Sequence, residues 1–434
     1  MKYIYAIVIF FIFIGCTTTN ELNKSIKLRE LKNIPQTPNY YTKGISTNTL
    51  YEVQKEYKES YYKMWSIDKP TQTKKDIQWS FKSFNIKKNY GDNLLPLKQD
   101  FFDEMYEKSN FEAYLSVNKK ALTNKYSSIR AMPTHRPILL NPSKAGEGFP
   151  FDYLQNSSIN ANVPIYISHY SKDKQWVFIF STITYGWLRS DEVIVLSEEE
   201  SSLWKNKNQI MITKESIPLF TKSNHGLFDT RIGMIFPLVE EDKNNYTILV
   251  APSISTNKTK FTTSSIAKNI ATKKTLVLND INLNKIIKEV SKKSYGWGGL
   301  FEQRDCSSTL MDLYTPFGIL LPRNSSKQSK VGKVINIKDL SNTEKIQVIK
   351  EQAVAFETLI YKKGHIMLYV GMYNDDVIIF QNTWGIKTKI DGKEGRFIIG
   401  KTIFSTLKIG EELENYDENS ELLRNIESIN IITQ

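Results

Sequence analysis

Two cysteines in 434 residues cannot supply a disulfide framework, and only Cys306 lies in the body of the chain. The four histidines, at 135, 169, 225 and 365, are scattered with no His-x-x-x-His pair. No metal site is therefore legible, and no metal or cofactor is expected. Long apolar runs are also missing: the one from Tyr3 to Ile14 falls short of the roughly 20 residues a spanning helix needs. What remains is an ordinary folded body, 40% hydrophobic, whose length suggests about three domains. Its net charge of +12 is spread through Lys- and Asn-rich turns. That balance suits a polyanionic partner such as cell-wall polymer or lipid headgroups, and equally a merely soluble surface.

The chain opens Met-Lys2, passes through the apolar run and reaches Gly15-Cys16-Thr17. A charged start, an apolar middle and a small residue before the cut mark residues 1–15 as a signal peptide. A cysteine directly after Phe13-Ile-Gly15 resembles a bacterial lipobox, in which cleavage leaves Cys16 as the acylated first residue. The expected location is the cell envelope, anchored through the lipid on the periplasmic face. Thr17 in place of Asp points to the outer membrane in a Gram-negative cell. Export excludes nucleic acid as a partner.

Residues 16–41 are polar and aperiodic, which reads as a lipidated tether. Residues 42–127 read as a helical N-terminal region, from Tyr, Phe and Leu at helical intervals in Leu50 to Trp65 and Leu95 to Leu122. From Ser128 the texture changes to short β-rich runs between turns, such as Val163-Pro-Ile-Tyr-Ile-Ser168 and Gln175-Trp-Val-Phe-Ile-Phe180. Two small consecutive barrels are expected, over 128–198 and 199–275. A polar stretch from Thr256 to Lys274 reads as the connection to a last domain, 276–434.

That last domain carries the chemistry. Glycine-rich Tyr295-Gly-Trp-Gly-Gly299 leads to Asp305-Cys306-Ser307, followed by apolar residues at 310, 313, 314 and 317 in helical period. Cys306 is thus placed at a loop-to-helix junction, where unpaired N–H groups and the macrodipole favour thiolate. Downstream, Gly364-His-Ile-Met-Leu-Tyr-Val-Gly371 and Val377-Ile-Ile-Phe-Gln381 flank a turn containing Asn374 and Asp375. This predicts a hairpin that His365 opens and Gln381 closes. A helix-start cysteine, a strand histidine and a neighbouring-strand amide are the parts of papain-like hydrolysis. Cys306 attacks a carbonyl, His365 exchanges the proton, and Gln381, or Asn382 in the other register, orients the ring. The backbone N–H of Cys306 is the natural oxyanion donor.

Tyr295-x-Trp-Gly-Gly, Asp305-Cys-Ser, Leu321-Pro-Arg-x-Ser325 with Gln328, and Gly364-His-x-x-x-Tyr-x-Gly371 together resemble the NlpC family of peptidoglycan cysteine endopeptidases. Upstream, Arg130-x-x-Pro-Thr134, Gly146-Glu-Gly-x-Pro-Phe-Asp152, Gln155 and Tyr185-Gly-Trp187 are similar to the first bacterial SH3-like domain of one architecture in that family. The resemblance implies a multidomain α+β chain: a helical stabilising domain, two SH3-like barrels and a papain-like catalytic domain. It implies a monomer acting on peptidoglycan stem peptides, or muropeptides, at the γ-D-glutamyl–diamino acid bond. Tyr295, Asp305 and Ser307 match the positions that read the free amine of a terminal L-Ala. The usual third catalytic residue is histidine, and here that slot holds Gln381. The loop 146–155 reads either as a border of the cleft or as a solvated barrel loop. A rival from another class, a cell-wall-binding lipoprotein with a weak or inactive catalytic domain, is kept open by Gln381. Acyl transfer or amidase chemistry ranks last, because permuted relatives place His before Cys.

Overall fold

The computed structural model describes residues 28–46, 53–252 and 260–433, so the signal peptide and Cys16 lie outside the described residues. From Leu28 onward the chain is no tether. Helices Arg29–Asn33 and Pro38–Thr42 lie on the C-terminal domain. Leu28 is buried with Ile386, Ile403 and Ile409, Tyr41 stacks on Phe404 at 4.7 Å between centroids, and Glu30 accepts from the Thr406 N–H. The few apolar residues of this stretch fill separate notches on another domain, a role that leaves no local period to read.

The N-terminal region is helical only in part. Helices such as Val53–Tyr61, Trp79–Ser83 and Gln99–Lys108 are short. The period from Leu95 to Leu122 is interrupted by left-handed backbone at Asn110, Leu115 and Asn118. Lys119–Thr123, expected as a helix end, is instead a strand of the first barrel.

That barrel is a seven-stranded antiparallel sheet. Its strand order is Gln155–Ile159, Ser127–Arg130, Tyr185–Arg189, Trp176–Phe180, Pro164–Tyr170, Lys119–Thr123, Val193–Val195. Every residue of Trp176–Phe180 is buried. Val177 and Ile179 face the barrel interior, while Trp176, Phe178 and Phe180 pack outward with Ile77 and Phe111 of the N-terminal region. A continuous apolar run is what a strand covered on both faces requires. The helical region therefore serves as an outer layer for this barrel.

The second barrel has a five-stranded sheet in the order Thr262–Ala267, Asn245–Val250, Ile235–Glu241, Gln209–Ile212, Ala271–Thr272, with a ribbon of Pro218–Phe220 and Gly226–Asp229. The polar stretch read as a connection supplies Thr262–Ala267, which pairs along its length with Asn245–Val250. As a sheet-edge strand it buries Ser264 and Ile266 and exposes Ser265 and Ala267, so low hydrophobicity masks it.

The C-terminal domain is a six-stranded antiparallel sheet: Lys333–Asn336, Ile426–Ile431, Thr358–Lys362, His365–Tyr373, Asp376–Ile390, Lys393–Thr406. Leu283, Ile286, Ile287 and Val290 of helix Asp280–Val290 join its core, with Leu310 and Leu313 of helix Cys306–Tyr314. The hairpin turn at Asn374 and Asp375 has φ of 46° and 65°, the two left-handed residues a tight hairpin demands. Its second strand does not close at Gln381. It continues to Ile390 and pairs with Lys393–Thr406 along both their lengths.

Candidate active site

Cys306 is the first residue of its helix. Asp305 caps that helix by accepting from Ser308 N at 2.8 Å, while the Ser308 hydroxyl accepts from Asp305 N at 2.9 Å. The helix packs on the His365–Tyr373 strand, whose Ile366 N–H favours the Cys306 thiolate. The junction was expected to favour thiolate. Instead, burial and then the adjacent Asp305 charge push the thiol up to about 12, outweighing the Ile366 and Ser307 N–H groups. The helix start supplies donors, but a dry sulfur beside a carboxylate keeps its proton.

His365 places Nε2 2.8 Å from Gln381 Oε1. The Gln381 amide is fixed because its Nε2 donates to Ser405 Oγ at 2.8 Å, and that hydroxyl donates to Thr406 O at 3.1 Å. With an acceptor oxygen facing it, Nε2 carries the ring proton and Nδ1 is left as the basic nitrogen. Burial brings His365 down to about 4, with the Gln381 bond opposing. Burial thus favours the neutral form of both the thiol and the imidazole. Asn382 does different work: its amide donates to Arg304 O and Thr309 Oγ1, both at 2.9 Å, tying the strand to the Cys306 helix. Of the two registers considered, the structure puts Gln381 at the histidine.

Cys306 lines a cavity of about 380 Å³ with Tyr295, Asp305 and Ser307, and with Gln155, Asn156 and Thr182–Thr184 of the first barrel. Asp305 is more engaged than a free amine reader. Arg323 reaches it through Nη1 at 3.1 Å and Nη2 at 2.7 Å, and the Ser307 hydroxyl donates at 3.2 Å. Burial alone would raise its carboxyl, but Arg323 and the Ser308 bonds hold it below the ordinary range. The Tyr295 phenol is kept neutral by burial and by the neighbouring acids, and its ring leans on Trp384 at 6.0 Å.

The first barrel closes this side through the glycine-rich stretch. Gln155 donates to Gly298 O at 3.1 Å, Tyr126 to Gly299 O at 2.8 Å, and Trp297 Nε1 to Asp152 O at 3.0 Å. Both glycines have left-handed φ, and a Cβ would meet Gln155 O at 2.6 Å from Gly298 or Ser158 Oγ at 2.0 Å from Gly299. Only residues without a side chain allow this approach. The loop 146–155 therefore borders the site: Phe151 packs on Trp297 and Trp384, and Gln155 lines the cavity.

Behind the nucleophile, buried Arg304 donates to Asp312 of the same helix at 2.7 Å and to Glu215 of the second barrel at 2.5 Å. Glu215 also accepts from Ile232 N at 2.8 Å. Burial opposes ionisation of both acids. Glu215 is nonetheless held low by Arg304 and Arg231, whereas Asp312 stays raised, sharing one guanidinium with a second carboxylate. Sequence reading assigned no role to Arg304, Glu215, Ser405 or Arg323. Only Arg323 had a signal, standing in the Leu-Pro-Arg motif.

Four family models match the chain in order: the NLPC_P60 stabilising domain at residues 4–114, an SH3 domain of SH3b1 type at 137–189, an SH3 domain of SH3b2 type at 197–243, and the NlpC/P60 family at 292–398. The last of these spans Cys306, His365 and Gln381. Residues 292–398 belong to the NlpC/P60 family. Among solved structures, an NlpC/P60 endopeptidase from Photobacterium damselae subsp. piscicida is 24% identical with a TM-score of 0.77, covering 92% of this chain and 98% of that one. An NlpC/P60 family protein from Bacillus cereus ATCC 10987 is 15% identical with a TM-score of 0.49, over 73% of this chain and all of that one. No curated protein matches. As an NlpC/P60 protein with two SH3 domains, the chain is a cell-wall peptidase of the cysteine class.

Proposed function

We propose that this NlpC/P60 protein is an endopeptidase that cuts the γ-D-glutamyl–diamino acid bond of peptidoglycan stem peptides beginning with a free L-Ala. The observation that carries the reading is the ordered chain Ser405–Gln381–His365, which leaves Nδ1 basic on the strand that packs against the Cys306 helix. The sulfur attacks the γ-carbonyl carbon as Nδ1 takes its proton, and the carbonyl electron pair moves onto oxygen. The Cys306 N–H, which has no intrahelical partner at a helix start, faces that oxyanion. Collapse breaks the C–N bond, and the imidazolium returns the proton to the departing amine of the diamino acid. Water then adds to the thioester, losing its proton to His365, and L-Ala-γ-D-Glu leaves as the thiol is restored.

The cavity is walled by the first barrel, which favours short linear stems over peptides still joined to glycan. Tyr295, Asp305 and Ser307 at its floor suit an ammonium, with Asp305 dividing its charge between that group and Arg323. Cys306→Ala is expected to abolish release of L-Ala-γ-D-Glu from a purified tripeptide stem, read by mass spectrometry; a variant as active as wild type would sink the mechanism. We also propose acylation at Cys16 and a periplasm-facing envelope location, supported by the Gly15-Cys16 junction. Cys16→Ser should move the protein from the membrane fraction to the soluble one. A binding lipoprotein remains the second reading, favoured by Gln381, which orients a ring but does not ionise.

A further inference from the structure

The catalytic cavity does not end at its own walls. Lys327 lines it, and Lys327 also lines a neighbouring open groove of about 600 Å³ with Lys75, Lys82, Trp79 and Tyr185. Three lysines on two domains thus line one groove, which meets the cleft at Lys327; Lys82 Nζ donates to Lys75 O at 3.4 Å. The single acid there, Asp76, is turned to its own helix start, accepting from Thr73 N at 2.8 Å and Thr73 Oγ1 at 2.7 Å. Among the described residues, none of the three lysines has a carboxylate within ion-pair distance.

Lys327 is also held in place relative to the nucleophile. It sits in the turn Ser325–Gln328, whose start Asn324 caps by accepting from Lys327 N at 2.9 Å. Buried Gln328, one residue on, donates to Ser307 O at 2.8 Å and Pro322 O at 2.7 Å. One amide therefore fixes the backbone of Lys327 to the residue that follows Cys306. The opposite wall is fixed too: Tyr185 of the first barrel donates to Asp76 O at 3.4 Å, and within the N-terminal region Tyr114 donates to Gln72 O.

We propose that this groove is the anion-reading end of the substrate cleft, in which Lys327, backed by Lys75 and Lys82, takes a carboxylate of the short peptide whose amide reaches Cys306. The proposal rests on the stem-peptide reading above and names what that reading leaves open. Two carboxylates of such a peptide have the required chemistry: the α-carboxylate of the γ-linked glutamyl residue and the C-terminal carboxylate of the diamino acid. An ammonium is a point charge on a flexible stem, so it suits a carboxylate arriving at the end of a flexible chain.

The test compares four synthetic tripeptide stems: both carboxylates free, the glutamyl α-carboxylate amidated, the C-terminus amidated, and both amidated. Cleavage by wild type, Lys327→Gln, Lys327→Arg and Lys75→Gln/Lys82→Gln is measured as kcat/KM. Binding of the same peptides to Cys306→Ala, with and without Lys327→Gln, is measured by calorimetry. A charge-assisted contact of this kind is worth roughly tenfold. Wild type should prefer one free acid over its amide by that factor, Lys327→Gln should erase the preference, and Lys327→Arg should restore it. The amide that costs affinity identifies which carboxylate is read. If Lys327→Gln weakens acid and amide peptides equally, or wild type does not distinguish them, the proposal is overturned. If wild type cleaves none of the four, the stem-peptide reading falls. Binding to Cys306→Ala then still decides the groove, with equal or absent affinity overturning it.

Discussion

The two barrels grip one catalytic domain by opposite means. The first meets it at the mouth of the cleft with no ion pair among the described residues, through Gln155 and Tyr126 on glycine carbonyls, Trp297 on Asp152 O and Arg323 on Ser157 Oγ. The second meets it behind the nucleophile through a buried charge, Glu215 on Arg304. A seam of hydrogen bonds without ion pairs needs close approach and tolerates little bulk. A buried ion pair offsets its desolvation only while its geometry is kept, and fails badly when one partner is lost. The first barrel borders the cleft, and the second holds the loop-to-helix corner that presents Cys306.

Four experiments can break or sharpen this contrast. The largest effect is expected from Glu215→Ala, which strands Arg304 without its barrel partner and should cost about 3–5 kcal/mol in denaturant unfolding. Glu215→Gln should cost less, and equal stability of all three proteins would show the charge contact to be idle. Next comes acid sensitivity of the first barrel. His169 is fully buried, stacked on Phe178, with Ser168 Oγ at 2.9 Å and Ser109 O at 3.1 Å on its two nitrogens, and burial lowers it to about 4. The unfolded chain binds a proton near pH 6.5 that the folded barrel refuses, so stability is full above 6.5 and declines toward 4. The loss is on the order of 3 kcal/mol by pH 4, and thermal melts of His169→Gln should lack most of it.

Smaller in stability but sharper in activity is Gly298→Ala. Its Cβ would meet Gln155 O, and its left-handed φ adds strain, together more than about 1 kcal/mol. Activity on stem peptides should fall more than the melting temperature does; the reverse order would mean the first barrel's seam does not shape the cleft. The smallest effect concerns the catalytic pair between the two seams. With His365 lowered to about 4, kcat/KM should hold as pH drops through 6 and fail only near 4. Gln381→Leu removes the bond that raises His365, so the acid limb should move lower still. A limb near 6.5 in wild type would show the ring to be solvated in the working enzyme.

How much of this was legible depends on whether each contact is local in sequence. The Asn374–Asp375 hairpin and the Cys306 helix were readable because turn chemistry and helical period lie within a few residues. Gln381 was placed beside His365 by the same hairpin register. Strand Thr262–Ala267 was missed because its Ser and Thr suit an edge as well as a linker. Residues 28–46 were missed because their burial is decided by a sheet more than 300 residues away. The protonation of Cys306 was read the wrong way, since helix position is local and visible while the dryness of the sulfur is made by the surrounding domain.

Gln381 and Asn382 are neighbours on one strand, yet one serves the histidine and the other the Cys306 helix. A slip of one residue in that strand would put Asn382 at the ring and Thr383 at the helix, or Phe380 at the ring and Gln381 at the helix. The slip is forbidden by a two-residue turn on one side and a long ladder with Lys393–Thr406 on the other. The enzyme's competence is therefore all-or-none with respect to strand register. A misregistered copy would be silent rather than a peptidase of altered aim.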